Sequence, residues 1–214
     1  MNAPDYTVYL VTDAPAAYAH GLLINVEAAV AGGASVVQYR ATTGTRRELY
    51  DTACALHALL RPRGVPLIIN DHLDLALAVD AEGLHVGQND LPIDVARRLL
   101  GRDRLLGLSI TAASQMTGFN PADVDYLGVG PVYATISKDD AAPALGLAEL
   151  AAITAKSPVP VVAIGGISLE RAPAVFATGV AGVAVVSALS LAADPQVAAR
   201  ALRKAKSEFG PRQG

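Results

Sequence analysis

Two short runs set a carboxylate just beyond an apolar segment: NDHLD (70–74) after PLII, and GQNDLP (87–92) after GLHV. Asp71 and Asp90 would then stand at the ends of successive strands. Two facing carboxylates repel unless a cation lies between them. Magnesium takes one or two carboxylates and completes its shell with substrate phosphate oxygens and water. Each residue also has a plain structural use. Asn70 or Asp71 could cap a following helix, and Asp90 suits a turn before Pro92. Taken jointly, the pair favours a metal, expected as Mg²⁺, and helix capping by the same stretch remains compatible with it.

A second group addresses phosphate. VVAIGGIS (161–168) ends an apolar segment in Gly165 and Gly166 and leads toward a helix expected to start near Ser168. Glycines let backbone N–H groups approach an oxyanion, and a helix N-terminus adds partial positive charge. The next apolar segment ends in VVSA, which puts Ser187 beside that loop. Arg40 and Lys138 add more positive charge than one phosphate needs, so a second and more highly charged anion, such as a diphosphate, is expected.

These residues must be positioned by repeated elements. β-rich apolar runs recur at 6–12, 34–40, 66–71, 83–88, 105–110, 126–132, 160–166 and 182–188, each near strand length. Ala- and Leu-rich segments lie between many of them. In TRRELYDTACALHALLRPRG, Thr45 and Glu48 match a capping box, and Pro62 and Gly64 stop the helix. IDVARRLLG, LAELAAITA, SLERAPAVFATG and DPQVAARALRKAKSEF read as further helices, with Pro173 tolerated in a first turn. Strands apolar nearly throughout, alternating with helices, imply a parallel sheet covered by helices. An open sheet would leave many of the polar strand ends far from its crevice, whereas a closed barrel gathers them at one mouth. No GxGxxG opens the first helix. The expected fold is therefore α/β, a (β/α)8 TIM barrel in one domain over 1–214, with a flexible tail from about 208.

Composition bounds the function. A chain of 214 residues that is 52% hydrophobic and 17% charged is not disordered, and a net charge of −3 offers no footprint for nucleic acid. No basic segment followed by an apolar stretch opens the chain, and no apolar run reaches roughly 18 residues. Neither a signal peptide nor a membrane span is expected. The single cysteine, Cys54, reads as a small core residue, consistent with a cytoplasmic location. His20, His57, His72 and His85 show no zinc spacing and read as structural or solvated. There is no GxSxG elbow and no Cys/His nucleophile pair, which argues against covalent acyl chemistry.

Taken in order, YLVTD (9–13), VVQYR (36–40), LIINDHLDLALAV (67–79), GLHVGQNDLP (83–92), GVGPVYAT (128–135), SKDDAAPALGL (137–147), VVAIGGI (161–167) and GVAVVSA (182–188) resemble thiamine-phosphate synthase over nearly the whole chain. The resemblance implies a transferase of thiamine biosynthesis. It would join aminomethylpyrimidine diphosphate to hydroxyethylthiazole phosphate with Mg²⁺ and release pyrophosphate. It implies that Gln38 contacts the pyrimidine, Ser109 bonds its amino group, and Arg40, Asn70 and Lys138 hold the diphosphate. Arg40, Ser109 and Lys138 would be the catalytic set, and Asp71 and Asp90 would bind the metal. Thr135, Ser137, Gly166, Val186 and Ser187 would receive the thiazole phosphate. Partners are expected to be these small phosphorylated molecules, with homo-oligomerisation left open.

Three positions depart from the family pattern. Thr42 stands where a lysine is usual, Thr111 where a histidine is common and Ala134 where a proline is common. A thiazole tautomerase sharing the barrel, and a non-catalytic phosphate-ligand sensor, are the alternatives. The acidic pair and Thr111 favour the synthase over the tautomerase. A phosphosugar isomerase is disfavoured because no clear Glu or His general base stands at a strand end.

Overall fold

The computed structural model of the chain describes residues 4–12, 18, 21–135 and 143–211. Eight parallel strands close on themselves in chain order: β1 (Val8–Val11), β2 (Val36–Tyr39), β3 (Leu67–Asn70), β4 (Gly83–Val86), β5 (Leu105–Ile110), β6 (Tyr126–Val129), β7 (Val161–Ile164) and β8 (Gly182–Val185). β1 pairs with β2 through Tyr9↔Val36 and with β8 through Tyr9↔Ala184, which completes the ring. Helices α1 (Leu22–Ala31), α2 (Arg46–Leu60), α3 (Leu73–Val79), α4 (Ile93–Leu100), α5 (Gly146–Lys156), α6 (Ala172–Phe176), α7 (Ser187–Ser190) and α8 (Pro195–Phe209) lie between or after the strands. The expected (β/α)8 TIM barrel is borne out.

The strands are apolar on both sides because both sides are buried. Val8, Leu10, Val37, Leu67, Ile69 and Leu84 pack outward with the helices. Tyr9, Val11, Val36, Ile68, Tyr126, Val162 and Ala184 fill the interior. Each such aliphatic side chain, fully buried, contributes about 1.5–3 kcal/mol. Cys54 is partly buried and packs against the outer core.

Local signals hold where the chemistry is local. Thr45 caps α2, accepting from Glu48 N–H at 3.3 Å, while Glu48 accepts from Thr45 N–H at 2.7 Å. Pro173 sits in the first turn of α6. That helix begins at Ala172, however, and not near Ser168. The intervening residues form turns in which Ser168 accepts the N–H groups of Arg171 and Ala172. α8 runs through Phe209, and the last three positions of the expected tail, 212–214, lie outside the described residues. Between β5 and β6 the chain makes only short 3₁₀ turns, Ala113–Thr117 and Pro121–Asp123. Among the described residues, no helix is long and apolar enough to cross a membrane.

The far end of the barrel is fastened by a buried arginine. Arg97 of α4 pairs with Asp125 at 2.5 Å and donates to the carbonyls of Gly101, Arg104 and Asp123. Asp125 also accepts Leu106 N–H at 2.7 Å, so one cation ties α4 to the starts of β5 and β6. Polar groups at the N-terminal face of a barrel of this kind serve stability, which leaves the opposite face for chemistry.

Candidate active site

Three residues singled out by the sequence point into the barrel at its C-terminal end. Gln38 is next to last in β2, Asn70 is last in β3 and Ser109 is next to last in β5. Gln38 Nε2 donates to Tyr9 Oη at 2.8 Å, and that oxygen lies 2.7 Å from Tyr126 Oη. Tyr126 Oη lies 3.0 Å from His85 Nδ1, and His85 Nε2 lies 2.9 Å from Ser109 Oγ. A continuous hydrogen-bonded chain thus joins Gln38 to Ser109 through the interior. Burial pushes the phenols of Tyr9 and Tyr126 well above their ordinary range, so both stay protonated.

Tyr9, Tyr126 and His85 are residues that sequence reasoning missed. His85 in particular reads there as structural or solvated, whereas it is buried and bonded to a predicted site residue. Space for these rings comes from glycines in the neighbouring strands. A Cβ on Gly107 would lie 2.2 Å from Tyr126 Cζ and 2.4 Å from His85 Nδ1, and one on Gly128 would lie 2.9 Å from His85 Cε1.

Just beyond the strand ends, Thr12 pins the backbone of Arg40. Its hydroxyl donates to Arg40 O at 3.1 Å and accepts Arg40 N–H at 3.0 Å, and its own N–H bonds Gln38 O at 2.9 Å. Arg40 lines a cleft of about 330 Å³ together with Tyr39, Thr42, Gly44, Leu49 and Thr52. Thr42 also lines an adjoining cleft of about 220 Å³ with Arg46 and His72.

Asn70 pairs with His85 across β3 and β4, and Asp71 N–H donates to His85 O at 2.8 Å, so the two acidic residues follow neighbouring strand ends. Neither Asn70 nor Asp71 occupies the N-cap of α3: His72 does, and its side chain makes no capping hydrogen bond. Asp71 instead sits at φ 60°, a left-handed backbone that costs most non-glycine residues about 1–2 kcal/mol and that Asp and Asn adopt more readily. Asp90 closes the turn after β4, its Oδ2 accepting Gly87 N–H at 2.7 Å. That leaves Oδ1 as the carboxylate oxygen to offer a cation. Among the described residues no group of three or more His, Cys, Asp or Glu could hold a metal. A hard cation held by two carboxylates and substrate oxygens needs no larger group, so this donor set fits Mg²⁺.

The other side of the mouth is built from loops after β6 and β7. Gly165 has φ 100° and Gly166 φ 64°, and a Cβ on Gly166 would lie 2.8 Å from both Ala134 O and Tyr133 Cβ. Val132 and Tyr133 N–H groups donate to Ile164 O and Gly165 O at 2.9 and 3.1 Å, which presses the two loops together. Thr135 follows directly on this loop, while Val186 and Ser187 begin α7 after β8. Arg171, which sequence reasoning also missed, donates to Gly166 O at 2.7 Å and covers the Tyr133 ring at 4.5 Å. Ser137 and Lys138 lie outside the described residues.

The family profile of thiamine monophosphate synthase matches residues 8–189. A thiamine-phosphate synthase of Laribacter hongkongensis is 52% identical over 92% of this chain and 94% of its own. One of Syntrophomonas wolfei is 48% identical over 95% and 98%. The solved structure of a thiamine phosphate pyrophosphorylase from Pyrococcus furiosus superposes with a TM-score of 0.86 at 34% identity, covering 96% of this chain and 97% of that one. These relatives do not favour the tautomerase and sensor alternatives. As the motifs anticipate, the chain is an enzyme of the transferase type and belongs to the thiamine monophosphate synthase family.

Proposed function

We propose that the protein joins 4-amino-2-methyl-5-pyrimidinylmethyl diphosphate to hydroxyethylthiazole phosphate, giving thiamine phosphate and pyrophosphate. The observation that carries this reading is the division of the barrel mouth. Two amides, a hydroxyl and two acidic residues stand at or just beyond the ends of β2 to β5, while a pair of pressed loops with a glycine cradle follows β6 and β7. One half suits a pyrimidine with its diphosphate, and the other suits a single phosphate.

In this reading Gln38 and Ser109 orient the pyrimidine ring. Arg40, Asn70 and Lys138 hold the diphosphate, the role of Lys138 resting on the family resemblance alone. Gly166, Thr135, Ser137 and the Val186–Ser187 turn receive the thiazole phosphate. Asp71 and Asp90 would hold Mg²⁺, which when bound neutralises the diphosphate and eases its departure. The C–O bond to the diphosphate breaks with its electron pair leaving on pyrophosphate, and the electron-rich aminopyrimidine stabilises the resulting cation. The thiazole nitrogen then forms the C–N bond with its lone pair. No proton moves and no protein nucleophile is needed, so the chain contributes position and charge.

The test is pyrophosphate release from the two substrates with Mg²⁺, comparing wild type with Asp90→Ala. Turnover that needs both substrates and collapses in the variant is expected. Absence of turnover in wild type with tight thiazole phosphate binding retained would overturn the synthase reading.

A further inference from the structure

We infer that Gln88 is a positioning residue: its side chain ties the turn that carries Asp90 to the end of β5 and thereby sets where that carboxylate stands at the barrel mouth. The consequence for metal binding rests on the role of Asp90 proposed above, while the tether itself is a property of the protein alone.

The paired register of β4 and β5 ends at Val86↔Leu108. Along β5 the peptide groups alternate between the two neighbouring strands. Leu105 N–H donates to Glu82 O on the β4 side, whereas Leu106 O and Ile110 O accept from Asp125 and Gly130 on the β6 side. Ser109 O, in step with Leu105, therefore faces β4 one place past the last pair, where the chain has already turned away. Gln88 fills that place with its side chain, Nε2 donating to Ser109 O at 2.7 Å. The bond is one more rung of the ladder, made by a side-chain amide instead of a peptide.

The turn after β4 is closed on itself. Asp90 Oδ2 accepts Gly87 N–H at 2.7 Å, and Asp90 N–H reaches Gly87 O at 3.4 Å. A Cβ on Gly87 would lie 3.0 Å from Asp90 Oδ2, so the closure is tight. These bonds fix the carboxylate within the turn but not the turn within the barrel. Residues 88–92 are exposed, so packing gives the turn little hold. Among the described residues, the side-chain hydrogen bond that leaves the turn is the one from Gln88. With β4 as one attachment and Ser109 O as the other, the turn cannot swing about Gly87. A metal ligand must be held close to its working geometry, because an error of about 1 Å in such an alignment costs up to about 10²-fold in rate. Gln88 acts through Asp90 and not on the ligand.

The test compares wild type with Gln88→Met, which keeps the length of the side chain and removes the donor, and with Asn89→Ala as a control in the same turn. In the ligand-free protein, nitrogen-15 relaxation should show backbone order parameters at Asn89 and Asp90 falling from about 0.85 to below about 0.6 in Gln88→Met, with β4 and β5 unchanged. Unchanged values at Asp90 overturn the tether, whatever the protein binds. Calorimetry with inorganic pyrophosphate and Mg²⁺ should show binding weakened about three- to tenfold in Gln88→Met and unaltered in Asn89→Ala. Thiazole phosphate binding should be the same in all three, and equal weakening of both ligands would mean a merely structural role and overturn the inference. In an Asp90→Asn background, Gln88→Met should have no further effect on pyrophosphate binding. A further loss of the same size would mean that the amide acts on the ligand directly, which also overturns it. Wild type that binds no pyrophosphate with Mg²⁺ overturns the synthase reading, and the relaxation measurement still decides the tether.

Discussion

The guanidinium of Arg171 lies 4.5 Å from the centroid of the Tyr133 ring while its Nη1 donates to the Gly166 carbonyl at 2.7 Å. One side chain therefore clamps the loop after β6 to the loop after β7, the two loops proposed to take the thiazole phosphate. Arg171 is exposed, which lowers the worth of each contact, yet a stacked cation and a charged hydrogen bond together still account for about 1–2 kcal/mol.

Arg171→Ala is accordingly expected to raise KM for the thiazole phosphate about tenfold and to leave KM for the pyrimidine diphosphate unchanged. Arg171→Lys should recover only part of the loss, because lysine keeps the charge but not the planar stack. Steady-state kinetics with each substrate varied in turn decides the matter. Equal increases for both substrates would mean that Arg171 only supports the fold.

Asp71 combines two roles that different substitutions separate. Its left-handed backbone suits Asp and Asn but strains Ala, while its carboxylate alone can hold a cation. Asp71→Asn should keep the melting temperature nearly unchanged, and Asp71→Ala should lower it by roughly 2–8 °C. Both should lose most activity at any Mg²⁺ concentration that saturates wild type. Activity surviving in Asp71→Asn would remove Asp71 from the metal site.

The barrel itself was legible because strands buried on both faces must be apolar throughout, and their number and the helices between them leave few topologies. Thr45 with Glu48, and Pro173 in a first turn, were legible because capping and proline chemistry act within one turn of helix. The polar chain beneath the site was not. Tyr9, His85 and Tyr126 come from β1, β4 and β6, and no local spacing reveals that their side chains meet. Gly107 and Gly128 were the available signal, since glycine inside a strand marks the close approach of another group. Nor could the sequence show that His72 rather than the two candidates, Asn70 and Asp71, would occupy the N-cap of α3, because the three residues stand side by side and the backbone turn at Asp71 sets where the helix starts.

Thr42, on the loop between β2 and α2, lines both clefts beside Arg40 and is exposed. Restoring the family's cation there adds a charge without displacing a packed side chain. Thr42→Lys is expected to lower KM for the pyrimidine diphosphate about tenfold at low salt, with the gain shrinking as ionic strength rises. KM for the thiazole phosphate should not move. A variant indistinguishable from wild type at low salt would show that the diphosphate lies out of reach of this loop.

The buried phenols predict how the protein fails at high pH. Burial holds Tyr9 and Tyr126 protonated in the native state well above the ordinary tyrosine range, and burial together with Asp125 does the same for Tyr6. Below about pH 10 both folded and unfolded chains keep these protons, so the full contribution to stability is present. Above it the unfolded chain releases them and the folded chain does not, and stability falls with rising pH. Each phenol contributes a slope of about 1.4 kcal/mol per pH unit. Denaturant unfolding between pH 9 and 11 should show this decline, and Tyr9→Phe should flatten it by one phenol's share. Phenolate absorbance should also rise in two stages, exposed tyrosines first and the buried group only as the barrel unfolds. A single smooth titration with the fold intact would mean that water reaches the barrel interior.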